Sequence, residues 1–314
     1  GNSLGYKTII VMNDNQTQEK KDLLRNLGAE LRLVEPKPYK DDNNFVKVAA
    51  RLADELRPSN NNGVIWANQF DNTANAKGHY EGTGQEIWEQ TDGKVDGFVC
   101  SSGTGGTISG VSNALKEKNK DIKIYLSDPK GSALYNYIKN GELKSEGGSI
   151  TEGIGSSRVT ANFGEAKIDD AYSIDDHEAL PILYDLIQNE GLSLGTSCGI
   201  NIAGAIRMGK ELGPGKTIVT ILCDRSDKYA TKMFNKKFLE EKGLPILYDL
   251  IQNEGLSLGT SCGVNIAGAI RLGKELGPGK TIVTILCDKS DKYNSKMFNK
   301  TFLKEKNLPT PSWL

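Results

Sequence analysis

The chain has 314 residues, 37% of them hydrophobic and 35 of them glycine. That is enough for one large domain or two ordinary ones, and it fits a loop-punctuated α/β protein. A formal net charge of −1 gives no electrostatic reason to bind nucleic acid or an acidic membrane, and no run approaches the roughly 20 apolar residues of a membrane span. Five cysteines without short paired spacing, and only two histidines, His79 and His177, argue against a metal site. The cysteines read instead as buried thiols.

In chain order, Leu4-Gly5 has the form of a helix end with a left-handed glycine cap, which predicts helical residues before Gly1. The β-rich run Thr8–Met12 predicts a strand, Gln18–Leu27 a helix, and Glu30–Val34 a second strand. Phe45–Leu56 carries Val46, Ala49, Ala53 and Leu56 at helical spacing, Gly63–Trp66 is strand-like, and Asn75–Gln90 is mostly helical. Val95–Val99 is an apolar run of buried-strand type. It leads through Cys100-Ser101-Ser102-Gly103-Thr104-Gly105-Gly106-Thr107 into a helix with Ile108, Val111 and Leu115 on one face, and Ile122–Leu126 is the next strand. Strand and helix in alternation predict an open, mostly parallel sheet covered by helices, with ligands at the carboxyl ends of the strands. Asp128 to Ile174 reads as loop-rich.

Strand, glycine-rich turn, helix is an arrangement that binds phosphate. Free N–H groups at the helix start point at the anion, the dipole favours it, and glycines allow close approach. The loop has neither the G-x-G-x-x-G spacing of a dinucleotide site nor the Gly-Lys-Ser/Thr of a triphosphate site. Alone it is equally a tight turn that holds nothing.

From Leu180 the chain repeats itself. Residues 180–243 return at 244–307 with 56 of 64 positions identical, and Leu308-Pro309 begins a third copy. Two long, nearly identical units are a tandem duplication rather than a solenoid, whose repeats are shorter, degenerate and more numerous. Each unit reads as a helix (Pro181–Asn189 in the first), a glycine loop (Gly191–Gly199), a helix (Asn201–Leu212), a strand (Thr217–Leu222) and a helix (Lys228–Lys242).

Several motifs in order make the chain resemble fold-type II pyridoxal-phosphate (PLP) enzymes of the cysteine synthase and cystathionine β-synthase family, its fungal mitochondrial cysteine-synthase-like branch above all. They are Gln69-Phe70-Asp71-Asn72 with Asn75, Thr83-Gly84-Gln85-Glu86, Gly103-Thr104-Gly105-Gly106-Thr107, Asp128-Pro129-Lys130-Gly131-Ser132, Glu152-Gly153-Ile154-Gly155 and Gly195-Thr196-Ser197-Cys198-Gly199. The resemblance implies that Gly103, Thr104, Gly105, Gly106 and Thr107 hold the PLP phosphate. It implies that Ser197, or its twin Ser261, faces the pyridine nitrogen, and that Gln69, Gly153, Ile154 and Gly155 line the side of an amino-acid substrate. Cys198 reads as a packing residue, His79 as locally hydrogen-bonded, and His177 as flanking a helix.

Two family segments have no counterpart: the Ser-x-Lys-Asp-Arg stretch with the Schiff-base lysine, and the Ser/Thr-x-Gly-Asn-Thr-Gly loop. The resemblance therefore implies weak or non-covalent PLP binding and no catalytic residue in place, with a cysteine synthase lineage. A non-catalytic PLP- or phosphate-binding scaffold, or a cystathionine β-synthase or serine/threonine dehydratase-type lyase, is the alternative. The expected organisation is a remnant of the smaller α/β domain at 1–67, the main PLP-binding domain at 68–243, the copy at 244–307 and a tail at 308–314. A homodimer, with a swap through the copy, and a mitochondrial or else cytoplasmic location follow from the resemblance.

Overall fold

A four-stranded parallel sheet supports the chemistry-bearing loops, and its strands come from segments far apart in sequence. The structure is a computed structural model and describes residues 1–245. Ser261, the tail at 308–314 and nearly all of the copy at 244–307 lie outside the described residues. Residues 1–182 and 194–245 form one compact unit, and 183–193 belongs to another.

In the first unit, β1 (Ile9–Asn13) pairs in parallel with β2 (Glu30–Val34) across the helix α1 (Gln18–Asn26). The helix α2 (Phe45–Leu56) follows, with Asn44 accepting the Val46 N–H as its N-terminal cap. The second sheet has the order β5-β4-β3-β6, all parallel, with β3 at Gly97–Cys100, β4 at Lys123–Pro129, β5 at Asp170–Ile174 and β6 at Ile218–Thr220. Every residue of β3 is buried, which is why its sequence is a continuous apolar run rather than an alternating one. The helix α5 (Gly106–Lys118) lays Ile108, Val111 and Leu115 on Phe98, Ile124 and Leu126 to make the main core. On the other face α9 (Thr196–Leu212) packs Met208 beside Val99 and Tyr125.

The helices α3 (Ala74–Glu81) and α4 (Thr83–Gln90) lie against α5. A Cβ on Gly110 would stand 2.3 Å from the Ala76 carbonyl oxygen, so only glycine lets α3 come this close. That approach brings Asn75 to the start of α5.

Several expectations are corrected. Gly63–Trp66 forms no strand: it has no ladder partner, and Ile65 is 88% exposed. Asn75–Gln90 is two helices, divided at Gly82, where the backbone leaves the helical region. The loop-rich stretch contains α6 (Leu134–Asn140), the short helix α7 (Ala161–Gly164) and β5. Helix α8 spans Asp176–Asp185 with Pro181 inside it, and within the other unit Leu186–Glu190 is a π turn ended by Gly191 at φ 68°. The helix expected at Lys228–Lys242 is broken into a 3₁₀ turn (Ser226–Tyr229), α10 (Ala230–Met233) and α11 (Lys236–Glu241). Asn235 takes the Phe238 N–H with its side chain and restarts the helix there. The left-handed Gly5 follows a short 3₁₀ turn at Asn2–Leu4.

Asp128, near the end of β4, is wholly buried. Its Oδ2 accepts the Tyr135 N–H at 2.8 Å, and its Oδ1 has no partner among the described residues. Burial raises its pKa from 3.8 to about 6. A raised folded-state pKa stabilises the protonated form, so this contribution is complete below pH 4 and is lost as pH rises through 6. Denaturation of Asp128→Asn beside the parent from pH 4 to 7 is expected to favour the variant increasingly, by on the order of 3 kcal/mol across the window. A constant difference would contradict this.

Candidate functional site

The loop between β3 and α5 sits at the carboxyl edge of the sheet, and at its three glycines the geometry leaves room for backbone only. Gly105 has φ +90°, and a Cβ there would meet the Phe163 backbone nitrogen at 2.5 Å. A Cβ on Gly103 would lie 2.2 Å from the Gly153 carbonyl oxygen, and one on Gly106 2.0 Å from Asn75 Oδ1. The three glycines are thus required by close approach from three sides. Among the described residues, the N–H groups of Gly103, Thr104, Gly105 and Thr107 donate to no protein acceptor. Four free donors at the head of a 13-residue helix suit an anion.

Side chains fix the loop from outside. Asn75 Nδ2 donates to the Gln69 carbonyl at 2.8 Å and to Thr104 Oγ1 at 3.0 Å. Thr160 Oγ1 donates to the Thr104 carbonyl at 2.6 Å and accepts the Phe163 N–H as the cap of α7. His79 bonds Thr107 through Nε2 and Thr83 through Nδ1, and burial lowers its pKa. It is the locally satisfied histidine that the sequence predicts.

The structure brings the predicted substrate-side residues to this loop. The Gly155 N–H donates to the Ser102 carbonyl at 2.8 Å, so the Glu152–Gly155 turn is bonded to the phosphate loop itself. Gln69 lies in a segment whose carbonyls are gathered by Asn162: its Nδ2 donates to Gln69, Phe70 and Asn72, and its Oδ1 accepts the Ala76 N–H. Beneath, Arg158 clasps Asp71 with two bonds of 2.9 and 2.8 Å and holds that carboxyl below its usual range. Asn162, Thr160 and Arg158 are positioning residues that sequence reasoning missed. Asn75 appeared only as part of a motif.

Ser197 is placed differently from the expectation. It lies in the first turn of α9, not in a loop, and is 3% exposed. No bond joins it directly to Gly103–Thr107 among the described residues. The link runs through Asn201, one turn on, whose Oδ1 accepts the Ser101 N–H at 2.7 Å and whose Nδ2 donates to the Ile221 carbonyl at 2.7 Å. Ser102 Oγ and Thr196 Oγ1 are buried without a partner among the described residues.

Lysines reach the wall of this site but are engaged. Glu152, beside the Gly153–Gly155 turn, has a side chain only 4% exposed. Lys20 takes its Oε2 at 2.9 Å and Lys232 its Oε1. Among the described residues no group of three or more His, Cys, Asp or Glu could hold a metal ion.

A family model described as "Pyridoxal-phosphate dependent enzyme" matches residues 1–224. The chain belongs to this family. It is 43% identical over 247 residues to cysteine synthase 1 of Emericella nidulans, covering 77% of this chain and 65% of that protein. It is 41% identical over 260 residues to cysteine synthase 2 of Schizosaccharomyces pombe, covering 77% and 65%. In structure it matches an O-acetylserine dependent cystathionine beta-synthase from Helicobacter pylori with a TM-score of 0.63 at 28% identity, covering 72% of this chain and 69% of that one. The architecture is that of the fold-type II enzymes. The chain spans about 65% of the length of the curated relatives it matches.

The residues present fit the phosphate of the family's cofactor, since the loop has free N–H groups and glycines at 103, 105 and 106, where a Cβ would clash. In Gly105→Ala an L residue is held at φ +90°, which its side chain disfavours, and the methyl group strikes Phe163. We expect a loss of about 1–3 kcal/mol in stability and PLP binding weakened by about tenfold or more, read by thermal unfolding and cofactor titration. Unchanged binding would show that the cradle does not hold the cofactor.

Proposed function

We propose that this chain is a cysteine-synthase-like, PLP-binding protein whose cofactor phosphate rests on Gly103, Thr104, Gly105, Gly106 and Thr107. The observation that carries the reading is the set of four N–H groups unpartnered among the described residues, on a loop whose three glycines have no space for side chains. Ser197 faces the pyridine nitrogen in this reading, with Ser261 as its twin in the copy. Gln69 and the Gly153-Ile154-Gly155 turn receive an amino-acid substrate. The lineage chemistry is β-replacement on an activated serine with sulfide, which makes cysteine.

When bound, PLP supplies the electron sink for bond breaking at the substrate α-carbon. The chain's own contribution is orientation and a tuned environment. A hydroxyl at Ser197, where another enzyme has a carboxylate, leaves the ring less electron-withdrawing and suits loss of a β-substituent. The substrate-side turn is bonded to the phosphate loop through Gly155 and Ser102, so both ligands are read by one rigid piece.

The chain as given binds the cofactor without a covalent anchor. It has no Ser-x-Lys-Asp-Arg segment, and Lys20 and Lys232, which approach the site, are held by Glu152. A lysine is needed as anchor and as the acid–base at the α-carbon, so catalysis is absent in this reading. The same observation favours the alternative of a non-catalytic PLP- or phosphate-binding scaffold. A lyase of the cystathionine β-synthase or dehydratase type shares the scaffold. The assembly in this reading is a homodimer, and the location is mitochondrial or else cytoplasmic.

The test is to add PLP, record visible absorbance and reduce with borohydride. The expected outcome is weak, dialysable binding with no cofactor fixed to protein. Cofactor retained after reduction and denaturation would mean that another lysine serves as anchor.

A further inference from the structure

One lysine of α1 touches both a residue that leads to the substrate-side turn and one that leads to the head of α9. The ammonium of Lys20 donates to Glu152 Oε2 at 2.9 Å and lies 4.4 Å from the centre of the Tyr229 ring. Both partners are buried, with 4% of the Glu152 side chain and 2% of Tyr229 exposed. On one side, Glu152 precedes Gly153, whose carbonyl oxygen closes on Gly103, and the Gly155 N–H bonds the Ser102 carbonyl. On the other side, the Tyr229 hydroxyl donates to Asp224 Oδ2 at 2.8 Å, and the Asp224 carbonyl accepts the Gly195 N–H at 2.9 Å. Gly195 is the N-cap of α9, two residues before Ser197. A Cβ there would stand 2.1 Å from Asp224 Oδ1 and 2.6 Å from a Tyr229 ring carbon, so Gly195 is pressed against both residues.

We propose that Lys20 is a positioning residue that ties the Gly153-Ile154-Gly155 turn to the Gly195–Ser197 head of α9 and so sets the spacing of the two walls. The tie stands on these contacts alone; its effect on the cofactor rests on the proposed function. An ammonium between a carboxylate and an aromatic face attracts both, and more strongly where water is excluded. The lysine is itself held in place. Thr17 Oγ1, at the N-cap of α1, donates to the Lys228 carbonyl at 2.7 Å. Glu19 accepts the N–H and the hydroxyl of Thr231, each at 3.0 Å. Helix α1 is thus docked on the 226–233 segment by the residues that flank Lys20 in the chain. Lys232 shares Glu152 but makes no ring contact with Tyr229 among the described residues, so it cannot take over the tie.

Amide NMR of the full chain without ligand reads the tie, and PLP titration reads its consequence. Lys20→Met keeps an apolar stem and removes the charge. The signals of Gly153–Gly155 and of Gly195–Ser197 are expected to shift together in it, with PLP bound about threefold or more weaker, the scale of one hydrogen bond. Lys20→Arg, whose guanidinium can bond Glu152 and stack on Tyr229, is expected to restore both. Lys21→Met, a neighbour whose Nζ donates to the Asp14 carbonyl, is expected to move neither wall. Glu152→Gln is expected to shift the Gly195–Ser197 signals in the parent and to leave them in place in the Lys20→Met background. Shifts confined to one wall in Lys20→Met, or a Glu152→Gln effect on Gly195–Ser197 that is the same with and without Lys20, overturn the inference. Removing one member of a buried ion pair is costly. Should Lys20→Met not fold, Glu152→Gln decides alone, and unmoved Gly195–Ser197 signals overturn the tie. Walls that move together with PLP affinity unchanged overturn its role at the cofactor. If PLP does not bind the parent chain, the cofactor reading fails and the amide map alone decides the tie.

Discussion

The side chain of Asn75 touches both halves of what makes this site. One amide hydrogen goes to the Gln69 carbonyl and the other to Thr104, while its oxygen abuts Gly106. An amide that bonds two segments at once fixes their relative geometry, and leaving a partner unpaired costs more than the bond itself contributes. Asn162 does the same from the opposite side, gathering three carbonyls of the 69–72 segment and returning its oxygen to Ala76. Two asparagines thus hold a phosphate-type loop and a substrate-type segment as one body. They can do so only because Gly110 lets α3 sit directly on α5.

This arrangement separates support from recognition. Side chains stabilise the loop from behind, while the ligand face is backbone N–H. In the proposed function, phosphate binding needs no cation in the cradle: the positive end of α5 and four donors serve instead. The basic groups that do approach, Lys20 and Lys232, neutralise Glu152 instead. That places a buried, fully paired carboxylate next to the turn bonded to Ser102. Breaking such a cluster from one side leaves a charge uncompensated, so α1 and α10 act on the site through Glu152.

Much of this was legible in the sequence. The buried run before the loop, the helical spacing of Ile108, Val111 and Leu115, and the alternation of strands with helices each gave the right element. What escaped was whatever depends on partners distant in the chain. Asn162 and Gln69 are 93 residues apart, and no local pattern marks a residue whose value lies in such a bond. Ser197 was misplaced because Gly-Thr-Ser-Cys-Gly has poor intrinsic helix preference, which burial against the sheet overrides. Gly63–Trp66 has strand-forming residues but no neighbouring strand.

The central claim is that free N–H groups of one loop receive a phosphate. Phosphorus-31 NMR of PLP titrated with the full chain addresses it directly, since the phosphate is the nucleus observed. The account predicts a saturable shift and broadening of the resonance, matched by changes in the amide signals of Gly103 to Thr107. A phosphate signal indifferent to the protein, or amide changes confined to other residues, would contradict it.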